Sequence, residues 1–232
     1  MKSLSIIIPV FNEEKTLRSI IERVEAVPLS GIEKEIIIID DGSTDGTKDI
    51  LSLLKGNVKV FSHAHNLGKG AAVRRGFAEA TGDFIIIQDA DLEYDPAEYP
   101  RFLGPMQKGV ADAVFGSRFV GSDPHRVLYA VHHIANRSLT FLSNMLTGLN
   151  LSDIESCYKA FTKEAVRTIR GDLRSNRFGI EPELVAAAAK KKLRVYEVGI
   201  SYYGRTYAEG KKINWKDGVG ALWWIVRFNL FD

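Results

Sequence analysis

The sequence predicts an α/β protein with a mostly parallel central sheet and helices on both faces. Three observations carry that expectation. Short apolar runs alternate with helical patterns through the first half of the 232-residue chain, the rhythm of successive strand–helix–strand units. The runs Ile6-Ile7-Ile8, Ile36 to Ile39 and Phe84 to Ile87 are apolar without interruption, as strands buried on both faces are. Each run leads into a polar segment suited to holding a ligand: Phe11-Asn12-Glu13, Asp40-Asp41-Gly42 and Asp89-Ala90-Asp91. Right-handed crossovers put those three loops along one edge of the sheet.

The elements follow in order. Leu4 to Val10 is a strand ended by Pro9-Val10-Phe11-Asn12. Glu13 and Glu14 open a helix to Val27, their charge suiting the positive helix end, with Leu17, Ile20, Ile21 and Val24 on one face. After a turn from Pro28 to Gly31, Glu35 to Ile39 is a second buried strand. Asp40 to Thr47 is dense in turn and cap residues and leads into a helix ending near Leu54. Val58 to Ser62 is a short strand. Asn66-Leu67-Gly68-Lys69-Gly70 starts a helix stopping near Gly82. Then come the strand Phe84 to Ile87, a helix over Pro96 to Gln107, and a strand over Ala113 to Phe115. Beyond Gly116 the rhythm changes. A long helix is expected from Val127 to Leu146, a short one ending near Ile169 and a clear one from Glu181 to Lys192. Arg194 to Tyr203 is strand-like, and Trp215 to Phe231 fits a helix grouping Trp223, Trp224, Phe228 and Phe231. The expected organisation is one continuous domain, with a ligand-binding half over 1–120 and a second half over 121–232.

Composition narrows the function. A net charge of +2 is too small to argue for a nucleic-acid partner. The single cysteine, Cys157, excludes an internal disulfide and reads as a small buried hydrophobe. His132-His133 lacks a third ligand, so no zinc site is read, and His63 and His65 read as surface residues. The chain starts directly in a strand pattern, and no apolar run approaches the ~20 residues of a membrane span. A cytoplasmic protein is expected, at most peripheral at the inner face of a membrane.

The stretch Phe84 to Asp91 carries the chemistry. A buried strand stops at two carboxylates one residue apart, at the sheet edge where open α/β folds bind ligands. In extended backbone the two point the same way and repel unless a cation lies between them. Mg²⁺ and similar hard ions take one or two carboxylates plus substrate phosphates. The reading is a metal–diphosphate site; the alternative is a polar turn with an Asp helix cap. Asp40-Asp41-Gly42-Ser43 likewise reads as a capped turn or as a carboxylate bonding a base or ribose. Lys69-Gly70 lacks the spacing of a Walker A loop, and no Gly-x-Gly-x-x-Gly opens the first helix.

Five segments occur in one order: Ile6-Ile7-Ile8-Pro9-Val10-Phe11-Asn12-Glu13-Glu14, Ile39-Asp40-Asp41-Gly42-Ser43-Thr44-Asp45-Gly46-Thr47, Asn66-Leu67-Gly68-Lys69-Gly70, Asp89-Ala90-Asp91 and Gly116-Ser117-Arg118-Phe119. Together they resemble family-2 glycosyltransferases of the dolichol-phosphate mannosyltransferase-like group. The resemblance spans residues 4–120 and continues more weakly through Asp153-Ile154-Glu155-Ser156-Cys157-Tyr158-Lys159 and Gly204-Arg205. It implies a Rossmann-like glycosyltransferase A-type fold and inverting transfer of a hexose from a GDP- or UDP-sugar over Mg²⁺ or Mn²⁺. By position, Pro9, Phe11 and Glu13 would line the nucleoside pocket, and Ile39 and Asp41 would contact base and ribose. Lys69, Asp89, Ala90, Asp91, Glu93, Arg118, Arg205 and Lys212 complete the implied donor site. Asp89, Asp91 and Glu93 would meet the metal. The family often has Gln where Glu93 stands and Tyr where Phe11 stands.

The same resemblance implies a polyprenyl-phosphate acceptor, with Asp91, Arg118 and Asp153 as the catalytic set. A lipid phosphate is already ionised at neutral pH and needs no strong base, so Asp153 orients the acceptor, acts as a base, or is an ordinary turn aspartate. Arg126 and Arg137 suit an acceptor phosphate, guanidinium being apt for bidentate phosphate contacts. Lys211 and Lys212 read as a lid over the diphosphate or as a solvated pair. The tail helix is amphipathic. It would lie in a lipid interface, pack on the sheet, or join a homodimer. The rival reading is the same fold acting on a glycan or protein hydroxyl; a further one is a non-catalytic nucleotide-sugar-binding subunit.

Overall fold

The computed structural model describes residues 1–54, 56–121, 126–127, 130–205 and 215–231, with backbone alone for 131, 132 and 215–219. The strands are β1 (Lys2–Val10), β2 (Ile32–Asp40), β3 (Val58–Ser62), β4 (Phe84–Ile87), β5 (Ala113–Ser117), β6 (Lys159–Thr162) and β7 (Val195–Gly199). The helices are α1 (Leu17–Ala26), α2 (Thr47–Ser52), α3 (Lys69–Glu79), α4 (Tyr99–Gln107), α5 (Ala130–Thr147), α6 (Lys163–Ile169), α7 (Ile180–Lys190) and α8 (Trp215–Leu230).

One sheet of seven strands runs in the order β3-β2-β1-β4-β6-β5-β7. β1 lies parallel between β2 and β4, with Ile7 opposite both Ile37 and Ile87. The chain winds outward from β1 to β3, then returns to its other side with β4. The crevice at the carboxyl ends of β1 and β4 is therefore a topological switch point, the position where doubly wound sheets bind ligands. The uninterrupted apolar runs are explained by burial on both faces. Ile6, Ile8, Phe84 and Ile86 pack into one core layer, while Ile7, Ile85 and Ile87 pack into the other.

β6 is antiparallel to both β4 and β5. Its reversed direction matters for function, because the loop before Lys159 then emerges at the same rim as the ends of β4 and β5. Sequence rhythm places that segment in the second half but not its direction.

Element ends differ from the sequence reading in instructive places. α1 begins at Leu17, not Glu13. The acids expected in its first turn hold the neighbouring loop instead: Gly46 N–H donates to Glu14 Oε2 at 2.9 Å, and Glu13 N–H donates to Thr47 Oγ1 at 2.9 Å. The strand-like stretch Arg194 to Tyr203 contains only a five-residue strand, Val195–Gly199. In α8 the expected aromatic group divides. Trp224 stacks on Phe228 at 5.3 Å, with Phe228 buried, whereas Trp223 and Phe231 are exposed. α8 packs on α5 and α7. No helix among the described residues is long and apolar enough to cross a membrane.

Candidate active site

A cavity of about 440 Å³ opens at the carboxyl ends of β1, β2 and β4, beside the start of α3. The β1 end supplies Pro9, Phe11 and Glu13, and the β2 end supplies Asp41. Asp89, Ala90, Asp91 and Glu93 follow β4, and Lys69 opens α3. Arg118, after β5, and Arg205, beyond β7, close the far side. Two loop turns use left-handed residues, Asn12 at φ 54° and Leu92 at φ 65°. Such backbone is costly for a non-glycine residue and concentrates at functional sites.

Other expected residues lie elsewhere. Ile39 is fully buried with Ile37 and Ala72 and does not line the cavity. Arg137 is exposed on α5. Arg126 donates to the Gly204 carbonyl at 2.6 Å, and its own N–H donates to the Tyr202 carbonyl at 2.9 Å, so it braces the segment carrying Arg205. Lys211 and Lys212 lie outside the described residues. His63 is not a free surface residue: its Nδ1 meets Asp41 Oδ1 at 2.7 Å. Asp41 also accepts from the N–H groups of Leu67 (2.9 Å) and Gly68 (2.7 Å), tying the β2 end to the loop entering α3.

The cavity's acids are held by cations from distant parts of the chain. Lys69 Nζ lies 2.5 Å from Asp89 Oδ1 and 3.4 Å from Glu181 Oε1. Burial alone would lower the Lys69 ammonium, but Asp89, Cys157 and Glu181 outweigh it and hold it well above its usual range. Arg205 donates to Asp91 Oδ2 at 2.7 Å. Its Nε and backbone N–H both reach Glu93 Oε1, at 3.3 and 2.9 Å. The other Glu93 oxygen accepts from Tyr202 Oη at 3.0 Å. Burial, then Asp89 and Glu93, push Asp91 up to about 7 against the pull of Arg205.

Asp153 stands behind this wall, not in it. It is fully buried and clasps Arg118: Oδ2 accepts from the Arg118 N–H at 3.1 Å and from Nε at 2.7 Å, and Oδ1 accepts from Nη2 at 2.8 Å. Burial would raise its pKa, yet Arg118 prevails and holds the carboxyl below its ordinary value. The guanidinium also packs over the Tyr202 ring at 5.2 Å. This geometry makes Asp153 a positioning residue for Arg118.

A family model described as "Glycosyl transferase family 2" matches residues 5–170. The chain is a family 2 glycosyltransferase. Among its relatives, Agl6 of Haloferax volcanii, a low-salt glycan biosynthesis hexosyltransferase, is 31% identical over 231 residues, covering 99% of this chain and 54% of that protein. MJ1222 of Methanocaldococcus jannaschii, an uncharacterised protein, is 30% identical over 229 residues, covering 97% and 92%. A UDP-N-acetylglucosamine–dolichyl-phosphate N-acetylglucosaminyltransferase of Methanococcus voltae is 27% identical over 231 residues, covering 92% and 90%. The fold matches glucosyl-3-phosphoglycerate synthase of Mycobacterium tuberculosis, crystallised with Mn²⁺, UDP and phosphoglyceric acid. The TM-score is 0.75 at 19% identity, covering 100% of this chain and 80% of that one. The architecture is the glycosyltransferase A-type fold.

The donor set of this glycosyltransferase suits a hard divalent ion in part. Asp89 and Asp91 offer carboxylate oxygens at one rim, and their crowding, visible in the raised Asp91, is what a cation relieves. Glu93, the expected third ligand, has both oxygens on Arg205 and Tyr202, as Asp91 has its two on Arg205 and the Glu93 N–H. No cluster of three or more potential ligands stands ready among the described residues.

Several lining residues escaped sequence reasoning: Tyr94, Glu155, Cys157, Arg177, Phe178 and Tyr202. Cys157 faces the cavity and donates to Glu181 Oε1 at 3.1 Å. Burial raises its thiol well above the usual value, which disfavours the thiolate. Arg177 and Phe178 arrive on a loop pinned by Glu183, which accepts from the N–H groups of Arg174 (2.5 Å) and Ser175 (2.9 Å). The Gly68 turn packs directly on that loop. At φ 102° a Cβ on Gly68 would run into the Asn176 carbonyl, so the glycine is dictated twice over. One signal was available for Arg177: the Asn66-to-Gly70 glycines imply a close backbone neighbour.

Proposed function

We propose that this glycosyltransferase moves a hexose, mannose or glucose, from a GDP- or UDP-sugar to a polyprenyl phosphate with inversion. The observation that carries the reading is the Asp89/Asp91 rim at the β1–β4 switch point, facing Arg118, Arg205 and Lys69 across one cavity. Asp89 and Asp91 would hold Mg²⁺ or Mn²⁺, which supplies Lewis-acid stabilisation to the departing diphosphate. The chain's own part is preorganised positive charge. Arg118 is fixed by Asp153 before any substrate arrives, so it costs no reorganisation as charge develops. Arg205 is held within reach of the same rim by Glu93. Phe11 and Pro9 offer a flat apolar wall to a nucleobase.

The lipid-phosphate acceptor is supported by the dolichyl-phosphate relative from Methanococcus voltae. α5, α8 and the residue after it add exposed Ile134, Phe141, Met145, Trp223 and Phe231, apolar surface compatible with work at a membrane. The test is a panel of GDP- and UDP-sugars, UDP-N-acetylglucosamine among them, screened with Mn²⁺ by thermal shift and then for transfer to a short polyprenyl phosphate. Transfer to that acceptor is expected from one donor. Transfer only to glycan or protein hydroxyls overturns the reading.

A further inference from the structure

The cavity's other carboxyl groups are engaged. Asp41 has three nitrogen partners, Asp89 has Lys69, and Asp91 and Glu93 share Arg205. Glu155 differs. It stands on the loop that antiparallel β6 delivers to the rim, and it lines the cavity. Its Oε1 is buried and has no hydrogen-bond partner. A buried carboxyl oxygen left without a partner is unusual and points to a ligand that supplies one.

We propose that Glu155 meets the acceptor, its carboxyl hydrogen-bonding to the acceptor's phosphate. This rests on the lipid-phosphate reading above and deepens it. The charged groups around Glu155 are Glu181, Lys159, Arg118 and Asp153. Burial, then Glu181, raise its pKa to about 7, while Lys159 and Arg118 restrain the rise. A phosphate monoester loses its second proton near pH ~6. Two such groups in contact share one proton, since both cannot stay bare together. With that proton on Glu155, the carboxyl donates and the dianionic phosphate accepts. A free phosphate oxygen then attacks the anomeric carbon. Its electron pair forms the new C–O bond as the bond to the diphosphate breaks, and that pair leaves with the nucleoside diphosphate. The proton stays on Glu155, and no base is consumed. Arg118 and Lys159 oppose the acids Glu181 and Asp153 at this corner.

The test is kcat/KM for a short polyprenyl phosphate between pH 6.5 and 8.5, in wild type and E155Q. In wild type it should fall about twentyfold across that range as Glu155 loses its proton. E155Q keeps an N–H donor but cannot titrate, so its change should stay below about threefold. Calorimetry with the nucleoside diphosphate and Mn²⁺ should give E155Q wild-type donor affinity, showing an intact donor half. If that affinity is lost, E155D decides: it should keep the alkaline fall with a raised acceptor KM, and a flat profile overturns the proposal. Identical profiles in wild type and E155Q overturn the role of Glu155 alone. Wild-type activity that rises with pH to a plateau marks Glu155 as a base for a hydroxyl and overturns it too. No transfer to any polyprenyl phosphate overturns the acceptor reading itself, and the proposal with it.

Discussion

Asp153→Asn separates a base from a positioning residue. In wild type both carboxylate oxygens are taken by Arg118, through contacts of 2.7 and 2.8 Å between side chains and 3.1 Å to the backbone N–H. Asparagine keeps one acceptor oxygen, turns an NH₂ group toward a donor, and leaves the guanidinium, itself 10% exposed, without its counter-charge. Removing one partner of a buried ion pair costs about 3–5 kcal/mol. For a chain of this size each kcal/mol lowers Tm by about 2–4 °C, so a fall of roughly 6–20 °C is expected. The pH sign follows from the depressed carboxyl. The pair's stabilisation is complete above the ordinary aspartate value of ~3.9 and is lost as pH falls through the lower folded value. The Tm gap between wild type and variant should therefore be widest near neutrality and narrow in acid. Differential scanning calorimetry at pH 7 and at steps down to about pH 2 measures it, and adding Arg118→Met closes a double-mutant cycle. The double variant should be less destabilised than the two single losses summed. A variant with unchanged Tm and a kcat lowered more than about a hundredfold would restore Asp153 as a base and refute the positioning argument.

Three further outcomes are expected. Asp91→Ala should lower turnover by more than about a hundredfold and weaken Mn²⁺-dependent nucleoside diphosphate binding in calorimetry; unchanged turnover would sink the metal role. Gly68→Ala should cost about 1–3 kcal/mol and reduce donor affinity together, because the φ of 102° and the Asn176 carbonyl both resist a Cβ; an unaltered Tm would show that the two loops part freely. Glu35 accepts from Lys59 Nζ at 2.6 Å, Thr81 Oγ1 at 2.9 Å, Thr81 N–H at 3.0 Å and Ser5 Oγ. Burial opposes ionisation there, but those bonds prevail and lower its pKa to about 2. Its contribution is present above the unfolded value of ~4.3 and disappears toward pH 2, so the Tm gap between wild type and Glu35→Gln should close over that interval.

The rim at the ends of β1, β2 and β4 was legible because its information is local. A buried parallel strand must be apolar on both faces, and the polar residue that ends it must face the rim, so Asp41, Asp89 and Asp91 could be placed from order alone. Asp153 and Glu155 could not. They reach the rim because β6 runs backwards between β4 and β5, and nothing in Lys159 to Thr162 announces direction. Two residues apart, they also serve opposite ends: Asp153 is spent on Arg118, and Glu155 faces the cavity. Ile39 was misplaced for a related reason. Ile39 is still inside β2 and packs with Ile37 and Ala72, while Asp41, two residues on and past the strand end, lines the cavity.

The pairings at the rim join segments far apart in sequence. Arg205 holds Asp91 and Glu93, Arg118 holds Asp153, and Lys69 bridges Asp89 and Glu181. Each of the first two cations reaches the site from one segment and is held by an acid from another, so the acids position the cations as much as the cations neutralise the acids. A diphosphate held as proposed would compete with Asp91 for Arg205 and with Asp89 for Lys69. Arg118 is different: its partner is buried away from the cavity wall, so the pair need not break for Arg118 to act. Substitutions at Arg205 or Lys69 should thus alter donor affinity through lost competition as well as lost attraction. Arg118→Lys keeps the charge and the backbone contact but cannot reproduce the two guanidinium contacts to Asp153, and its damage should fall mainly on kcat.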